Sequence, residues 1–286
     1  MRTLTAVLLL FSMAATAQNP EQEPITALSY DYSSVYNSAS ASLTRHKAGF
    51  DYNIKQVTLS AGVSAYGIEY NNSGHTGAMA QNITSIYLSA GYDYTINSNW
   101  LATATFSPKL VSDFKGTGIK DVYPGFFAGF TYKPSAGSST SLTFGAGYNG
   151  YFGKYRLMPI VNFKGNLTER ASFNLGIPAS WIAYKISATH SLKAFVASDG
   201  FYSRFTADTG ALYPEAAKAI KSMEMVTINS GLEYAYHSGD EWTALVRAGY
   251  SIYNKLDVPL ETGVPGIGFN NNLYLSAGFK YNLNFK

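Results

Sequence analysis

From Ser85 to Phe106 the chain alternates with a period of two. Ile86, Leu88, Ala90, Tyr92, Tyr94 and Ile96 are apolar or aromatic, and Tyr87, Ser89, Gly91, Asp93 and Thr95 stand between them. After Asn97-Ser98-Asn99 the pattern resumes with Trp100, Ala102, Ala104 and Phe106. Successive side chains on a strand point to opposite sides, so this is a β-hairpin with one greasy and one polar face.

The same rhythm predicts strands near 25–33, 39–54, 57–70, 82–96, 99–111, 121–133, 140–152, 155–165, 168–177, 180–187, 190–198, 224–237, 240–253 and 271–285. Most run ten to sixteen residues. Globular strands average ~5–6 residues, whereas a tilted membrane strand needs ~9–11. Connections alternate in length. Short ones fall at Lys55-Gln56, Asn97–Asn99, Pro134–Ser139, Gly165–Leu167, Ser187–Thr189 and His237–Gly239. Long ones fall at 71–81, 112–120, 199–223 and 254–270, with two short exceptions on that side near Gly153 and Ala179. Short turns at one end and long loops at the other are how outer-membrane barrels are built. The expected fold is therefore all-β: a transmembrane up-and-down antiparallel β-barrel of 14 strands, with short periplasmic turns and longer extracellular loops. Twelve strands is the alternative, if strands one and two or ten and eleven are misread. The helical-looking Pro214–Met223 and the Gly-rich Gly263–Gly268 lie in long loops and are the natural plugs or gates.

Alternation alone does not say which face is wet. A soluble barrel binding a hydrophobic ligand would turn the greasy face inward. Three features decide for the outward orientation. Asp51, Glu69, Asp93, Lys109, Lys133, Arg156, Lys164, Arg170, Lys185, Lys193, Glu233, Arg247 and Lys280 all fall on the non-greasy phase. A charge facing lipid at the bilayer midplane costs ~2–4 kcal/mol. The polar face is otherwise small, with Ser, Gly, Thr and Asn, which suits a narrow wet lumen. Aromatics in the greasy phase crowd the short-turn ends (Tyr52, Tyr94, Trp100, Tyr132, Phe163, Tyr236, Trp242, Tyr281, Phe285), as in an interfacial girdle. Tyr66, Tyr70, Tyr148, Phe152 and Tyr250 are expected to form the opposite girdle, and the phase change between Val63 and Tyr66 predicts a bulge. Pro108, Pro124, Pro159 and Pro178 lie in or beside strands, where proline cannot donate to a ladder. They predict bulges or kinks, or strands shorter than drawn.

Composition narrows the class further. Charged residues make up 14% of the 286, against roughly 25% in a soluble domain. Aromatics reach 15%, yet mean hydropathy is only −0.06. A net charge of +3 with no basic run excludes a nucleic-acid partner. There is no Cys, which excludes disulfides, thiol catalysis and a lipid-modified Cys. Residues 1–17 read as a signal peptide: Arg2, an apolar Leu4–Met13 and an Ala15-Thr16-Ala17 cleavage site. Residues 18–286 then form a single barrel domain, and no later stretch holds the ~20 apolar residues of a spanning helix.

Trp100, Ser107-Pro108 and Ser112-Asp113-Phe114, followed by FGAGYNGYFGKYRLMP and LGIPASWIAYKIS, resemble a family of uncharacterised outer-membrane β-barrel domains of Bacteroidota. The greasy final strand also resembles an outer-membrane insertion signal, with Lys286 following the aromatic Phe285 as a departure. The resemblance implies membership and an outer-membrane location. Its motifs are structural, so it carries no active-site residue.

The wet phase supplies the candidate site: Tyr87, Asp93, Lys109, Arg156, Lys164, Arg170, Lys193, Glu233, Arg247 and Lys280 are expected to line the lumen. The set is mixed and modestly basic, which favours a slight anion preference if open and a plug if the charges pair. Tyr87 and Tyr253 are expected to narrow it. No motif supports catalysis: His46, His75, His190 and His237 lack a partnered spacing, His75 being the best placed for a hydrolase. Asp199, Asp208, Glu215, Asp257 and Glu261 read as loop acids without a calcium-loop pattern. No cofactor is expected. The expected function is passive or facilitated passage of small solutes by a monomer in outer-membrane lipid. The alternatives are a non-transporting structural or loop-binding barrel and a barrel enzyme acting on lipid or peptide.

Overall fold

The structure is a computed structural model that describes residues 25–35, 41–70, 79–114, 118–135, 138–204, 222–239, 241–257 and 271–283. The expected leader (1–17), His75, the Pro214–Met223 segment, Gly263–Gly268 and the Phe285-Lys286 end lie outside the described residues, apart from Ser222 and Met223.

The segments are β1 (Ile25–Val35), β2 (Ala41–Ile54), β3 (Val57–Tyr70), β4 (Met79–Thr95), β5 (Trp100–Phe106), β6 (Lys109–Ser112), β7 (Val122–Tyr123), β8 (Phe126–Tyr132), β9 (Ser141–Asn149), β10 (Arg156–Asn166), β11 (Ala171–Gly176), β12 (Ala179–Lys185), β13 (His190–Arg204), β14 (Ser222–Ser238), β15 (Trp242–Asp257) and β16 (Asn272–Leu283). Staves that follow one another in the chain pair antiparallel. β1 pairs with β16, which closes the ring. β5 and β6 share one stave broken at Ser107-Pro108, and β7 and β8 share another broken at Pro124-Gly125. The result is a closed antiparallel barrel of 14 staves. Closure leaves no sheet edge running the full height, so the backbone can cross a bilayer with its polar groups paired.

All four prolines mark breaks in the wall. Pro108 and Pro124 occupy the two interruptions just named. Pro178 is at the tip between β11 and β12, and Pro159 lies on upper β10, where no β11 residue faces it. Around Pro108, Pro124 and Pro178 the shorter-strand alternative is thus the observed one, whereas the β9–β10 register runs through Pro159, whose nitrogen lies on the side away from β9.

The greasy phase faces outward. Ile86 is 40% exposed, Leu88 61% and Phe106 56%. At the short-turn end Trp100 packs on Tyr132 with ring centroids 5.0 Å apart, and Trp242 on Tyr281 at 4.4 Å.

Two sequence expectations need correction. The register of β3 with β2 and β4 is unbroken over Val57–Tyr70, so no bulge follows Val63. Tyr66 is therefore inside the barrel with Gly62 and Ser64, 5% exposed, rather than in an outer girdle. The register shift is on β15 instead. Asn229 pairs with Ser251 and Ile228 with Tyr253, so Ile252 is the extra residue. The bulge turns Tyr253 outward, where it is exposed and cannot narrow the lumen, and brings Leu256 inside.

Candidate functional site

The interior has two zones. Toward the long-loop end it is dry: Val35, Leu43, Tyr66, Ile68, Ile83, Val111, Phe201, Met223, Met225, Leu256 and Tyr274 form one buried apolar cluster. These side chains lie on the inward phase of their strands, so the polar-inside pattern reverses near that end. Opposite walls touch here. The Ser203 hydroxyl on β13 donates to the Val111 carbonyl on β6, 3.3 Å away, and Ser203 is fully buried.

Below the cluster runs a chain of ion pairs. Lys193 (β13) binds Glu233 (β14) at 2.5 Å, and Glu233 binds Arg247 (β15) at 2.5 Å. Arg247 binds Asp31 (β1) at 2.6 Å, with Ser276 of the intervening β16 donating to the same carboxylate oxygen at 2.8 Å. Asp31 binds Arg45 (β2) at 2.9 Å, and Arg45 reaches back across the lumen to Asp199 of β13. Tyr66 donates its hydroxyl to Asp199 at 3.3 Å. The chain starts and ends on β13, and its three cations balance its three anions. Side chains that are half-buried and paired in this way are locked, because removing one partner strands the other charge.

A cavity of about 560 Å³ lies on the other side of the interior and carries Lys47, Asp51, Tyr87, Lys109 and Lys164. Ligand sites typically run ~300–1,000 Å³. Two smaller cavities of about 190 and 220 Å³ lie toward the dry zone and along the ion-pair chain. Tyr87 lies flat on the wall instead of projecting across the lumen. A Cβ on Gly62 of β3 would come within 2.6 Å of the Tyr87 ring, and one on Gly49 of β2 within 3.1 Å of its hydroxyl. Two glycines on adjacent strands thus make the bed on which the ring rests, and Lys47 Nζ stands 6.0 Å from the ring centroid. The β9–β10 turn, 150–155, adds Tyr151 to both larger-zone cavities. Burial pushes the phenols of Tyr151 and Tyr155 up, so both stay neutral hydroxyls.

Of the expected lumen residues, Tyr87, Lys109 and Lys164 come together in the large cavity, and Lys193, Glu233 and Arg247 in the ion-pair chain. Asp93 accepts from the Thr103 hydroxyl at 2.6 Å on adjacent strands. Lys280 pairs in register with Ser29 and Thr243, away from the cavities. Arg156 reaches the Phe152 carbonyl at 3.4 Å beside the β9–β10 turn, and Arg170 lies in the β10–β11 turn before β11 starts at Ala171. Sequence reasoning missed Asp31, Arg45, Lys47 and Asp199. The first three share the phase of Asp51 or alternate with Tyr30 and Tyr32, so the signal was there. Asp199 reads as a loop acid because alternation on β13 fades into apolar residues on both phases. Asp257 likewise ends β15, 3.1 Å from Lys255. Among the described residues no group of three metal-binding side chains forms. His46, His190 and His237 are each bonded to a neighbouring Tyr, Ser or Thr hydroxyl.

The geometry is that of a transmembrane β-barrel with an outward apolar face and a charged interior. The chain belongs to the family described as a domain of unknown function, DUF6268, whose profile matches residues 47–282. No curated protein matches it. Among solved structures it is similar to a Pseudomonas aeruginosa FadL homologue (14% identity, 91% of this chain and 90% of that one, TM-score 0.46). It is also similar to the Pseudomonas putida toluene transporter TodX (11%, 93% and 90%, TM-score 0.39). A third is the KdgM porin in complex with disordered oligogalacturonate (10%, 89% and 99%, TM-score 0.37).

Proposed function

We propose that this protein is an outer-membrane pore for small solutes with a preference for small anions, acting as a monomer. The observation that carries the proposal is the division of charge inside the barrel. The ion-pair chain sums to zero. Lys47, Lys109 and Lys164 face one 560 Å³ cavity with Asp51 as the acid, and none of the three lysines has an ion-pair partner among the described residues. Uncompensated ammonium groups in a confined, low-dielectric lumen set its ion selectivity. Closure of the ring within one chain supports a monomer. The outward apolar face and paired backbone support a membrane location.

In planar bilayers under a salt gradient, the reversal potential is expected on the anion-selective side. The combined Lys47→Gln, Lys109→Gln, Lys164→Gln variant is expected to move it toward zero. Absence of conductance in every salt overturns the pore and favours a second reading, a non-transporting envelope barrel. That reading has one observation of its own, the dry cluster that fills the lumen near the long-loop end.

A further inference from the structure

The wall of the barrel is incomplete in its upper half. β11 and β12 stop at Gly176 and Ala179, whereas the staves on either side, β10 and β13, continue. The last bonds across the hairpin are Ile177 N–H to the Val161 carbonyl at 3.2 Å and Ser198 N–H to the Pro178 carbonyl at 3.1 Å. Above them, among the described residues, β10 from Arg156 to Ile160 pairs with β9 alone, and β13 from Asp199 to Arg204 with β14 alone. The β9–β10 turn forms a lintel. Gly153, at φ +80°, packs against β13, where a Cβ on Gly200 would be 3.2 Å from its nitrogen. Glu224 of β14 accepts from Lys154 N–H at 3.1 Å. The gap is bounded below by its sill, Ile177-Pro178, on one side by the five β10 residues Arg156–Ile160, roughly 16 Å at ~3.3 Å per residue, and on the other by β13 up to the approach of Gly200 to Gly153.

Two positions along the edges of this opening leave no N–H unpaired. An unpaired N–H facing hydrocarbon costs several kcal/mol. Strand alternation puts the nitrogen of Pro159 on the side where Val161 offers its carbonyl to Ile177, and proline has no N–H to leave unpaired. On the facing edge, Gly200 N–H donates to the Asp199 carboxylate at 2.9 Å. The outer rim is greasy, since Leu157, Val161, Ile177 and Val196 are all exposed. The inner side is the large cavity itself: Ile160, Ile177, Pro178 and Tyr151 line it. Along the axis, the way out toward the long loops meets the dry cluster and the Ser203–Val111 contact.

We infer that this gap is a side portal joining the cavity to the acyl chains of the leaflet at the long-loop end, and that apolar molecules dissolved in that leaflet are what pass through it. The inference requires the barrel to span a membrane. It does not require conduction along the axis, so a silent bilayer recording leaves it standing.

The chain has no Cys, so single nitroxide labels need no background removal. Ile160→Cys places a label on the cavity side of the portal. Ser89→Cys places one in the same cavity behind β3 and β4, where the ladder is continuous. In proteoliposomes the ratio of collisions with oxygen, which concentrates in lipid, to collisions with a water-soluble nickel chelate is expected to be several-fold higher at 160 than at 89. Equal, nickel-dominated ratios at both sites overturn the portal. The unsubstituted protein gives a second check with a phospholipid carrying an acyl-chain diazirine. Adducts on Tyr151 or Ile160 support the portal, and adducts confined to outward residues such as Leu157 and Val161 refute it.

Discussion

Arg45 on β2 and Asp199 on β13 pair across the lumen, between staves that are not neighbours in the wall. Arg45 also holds Asp31 at 2.9 Å. The pair ties two distant parts of the cylinder together and closes the ion-pair chain on the strand where it began. Asp199→Ala leaves Arg45 half-buried with one carboxylate instead of two. A loss of about 1–3 kcal/mol is expected, the cost of stranding part of a buried charge. Urea unfolding in lipid vesicles reads it. A double-mutant cycle with Arg45→Ala should return a coupling of about 1 kcal/mol or more, whereas strictly additive losses would mean the contact carries no energy.

Tyr87 and Gly62 form a ring-on-glycine contact that keeps the cavity wide. Gly62→Ala sets a Cβ 2.6 Å from both the ring and the Ala48 carbonyl. Overpacking of this kind costs typically ~1–3 kcal/mol. The displaced ring should also lower any conductance, and Tyr87→Ala on the Gly62→Ala background should recover conductance while recovering only part of the stability, since the backbone clash stays.

Proline tolerance should map the breaks in the wall. Pro159→Ala is expected to keep the folded, heat-modifiable band but to cost about 1–3 kcal/mol, because it adds an N–H at the edge of the gap that no strand accepts. Leu232→Pro, on β14 between two paired neighbours, should cost ~3 kcal/mol or more and abolish the folded, heat-modifiable band on a detergent gel. A Leu232→Pro variant that folds normally would mean β14 is not held on both sides.

The fold was legible in the sequence to the extent that the interior is wet. Alternation located the staves, the outward face and the short turns because lipid outside and water inside demand opposite chemistries of neighbouring residues. The two short connections near Gly153 and Ala179 were visible as exceptions, and they turn out to be the lintel and the sill of the portal. Legibility failed where the interior becomes dry. Tyr66, Ile68 and Ile83 are greasy and inside, so greasiness no longer reports orientation, and a continuous register was mistaken for a bulge at Val63. The true bulge at Ile252 was invisible for the same reason, since both phases around it are apolar. Of the site, Lys109, Lys164, Lys193, Glu233 and Arg247 were legible singly, and Asp31, Arg45, Lys47 and Asp199 were not. The pairing was not legible either, because the contact of residue 45 with residue 199 depends on how far the wall curves, which no local pattern encodes.

Placement of charge should separate the two faces sharply. Leu88→Arg puts a guanidinium on the lipid face near mid-wall and is expected to cost ~2–4 kcal/mol in folding into bilayers. Ser89→Arg, one residue on, should cost far less because it enters the lumen. Equal penalties would mean that both faces meet the same medium.

The outward orientation of the greasy phase is tested most directly by single cysteines at every position from Ile86 to Asp93, reacted in proteoliposomes with a water-soluble maleimide. Labelling is expected at 87, 89, 91 and 93 and absent at 86, 88, 90 and 92. Labelling of the even positions, with the odd ones protected, would place the greasy side chains in a closed interior and contradict the membrane barrel altogether.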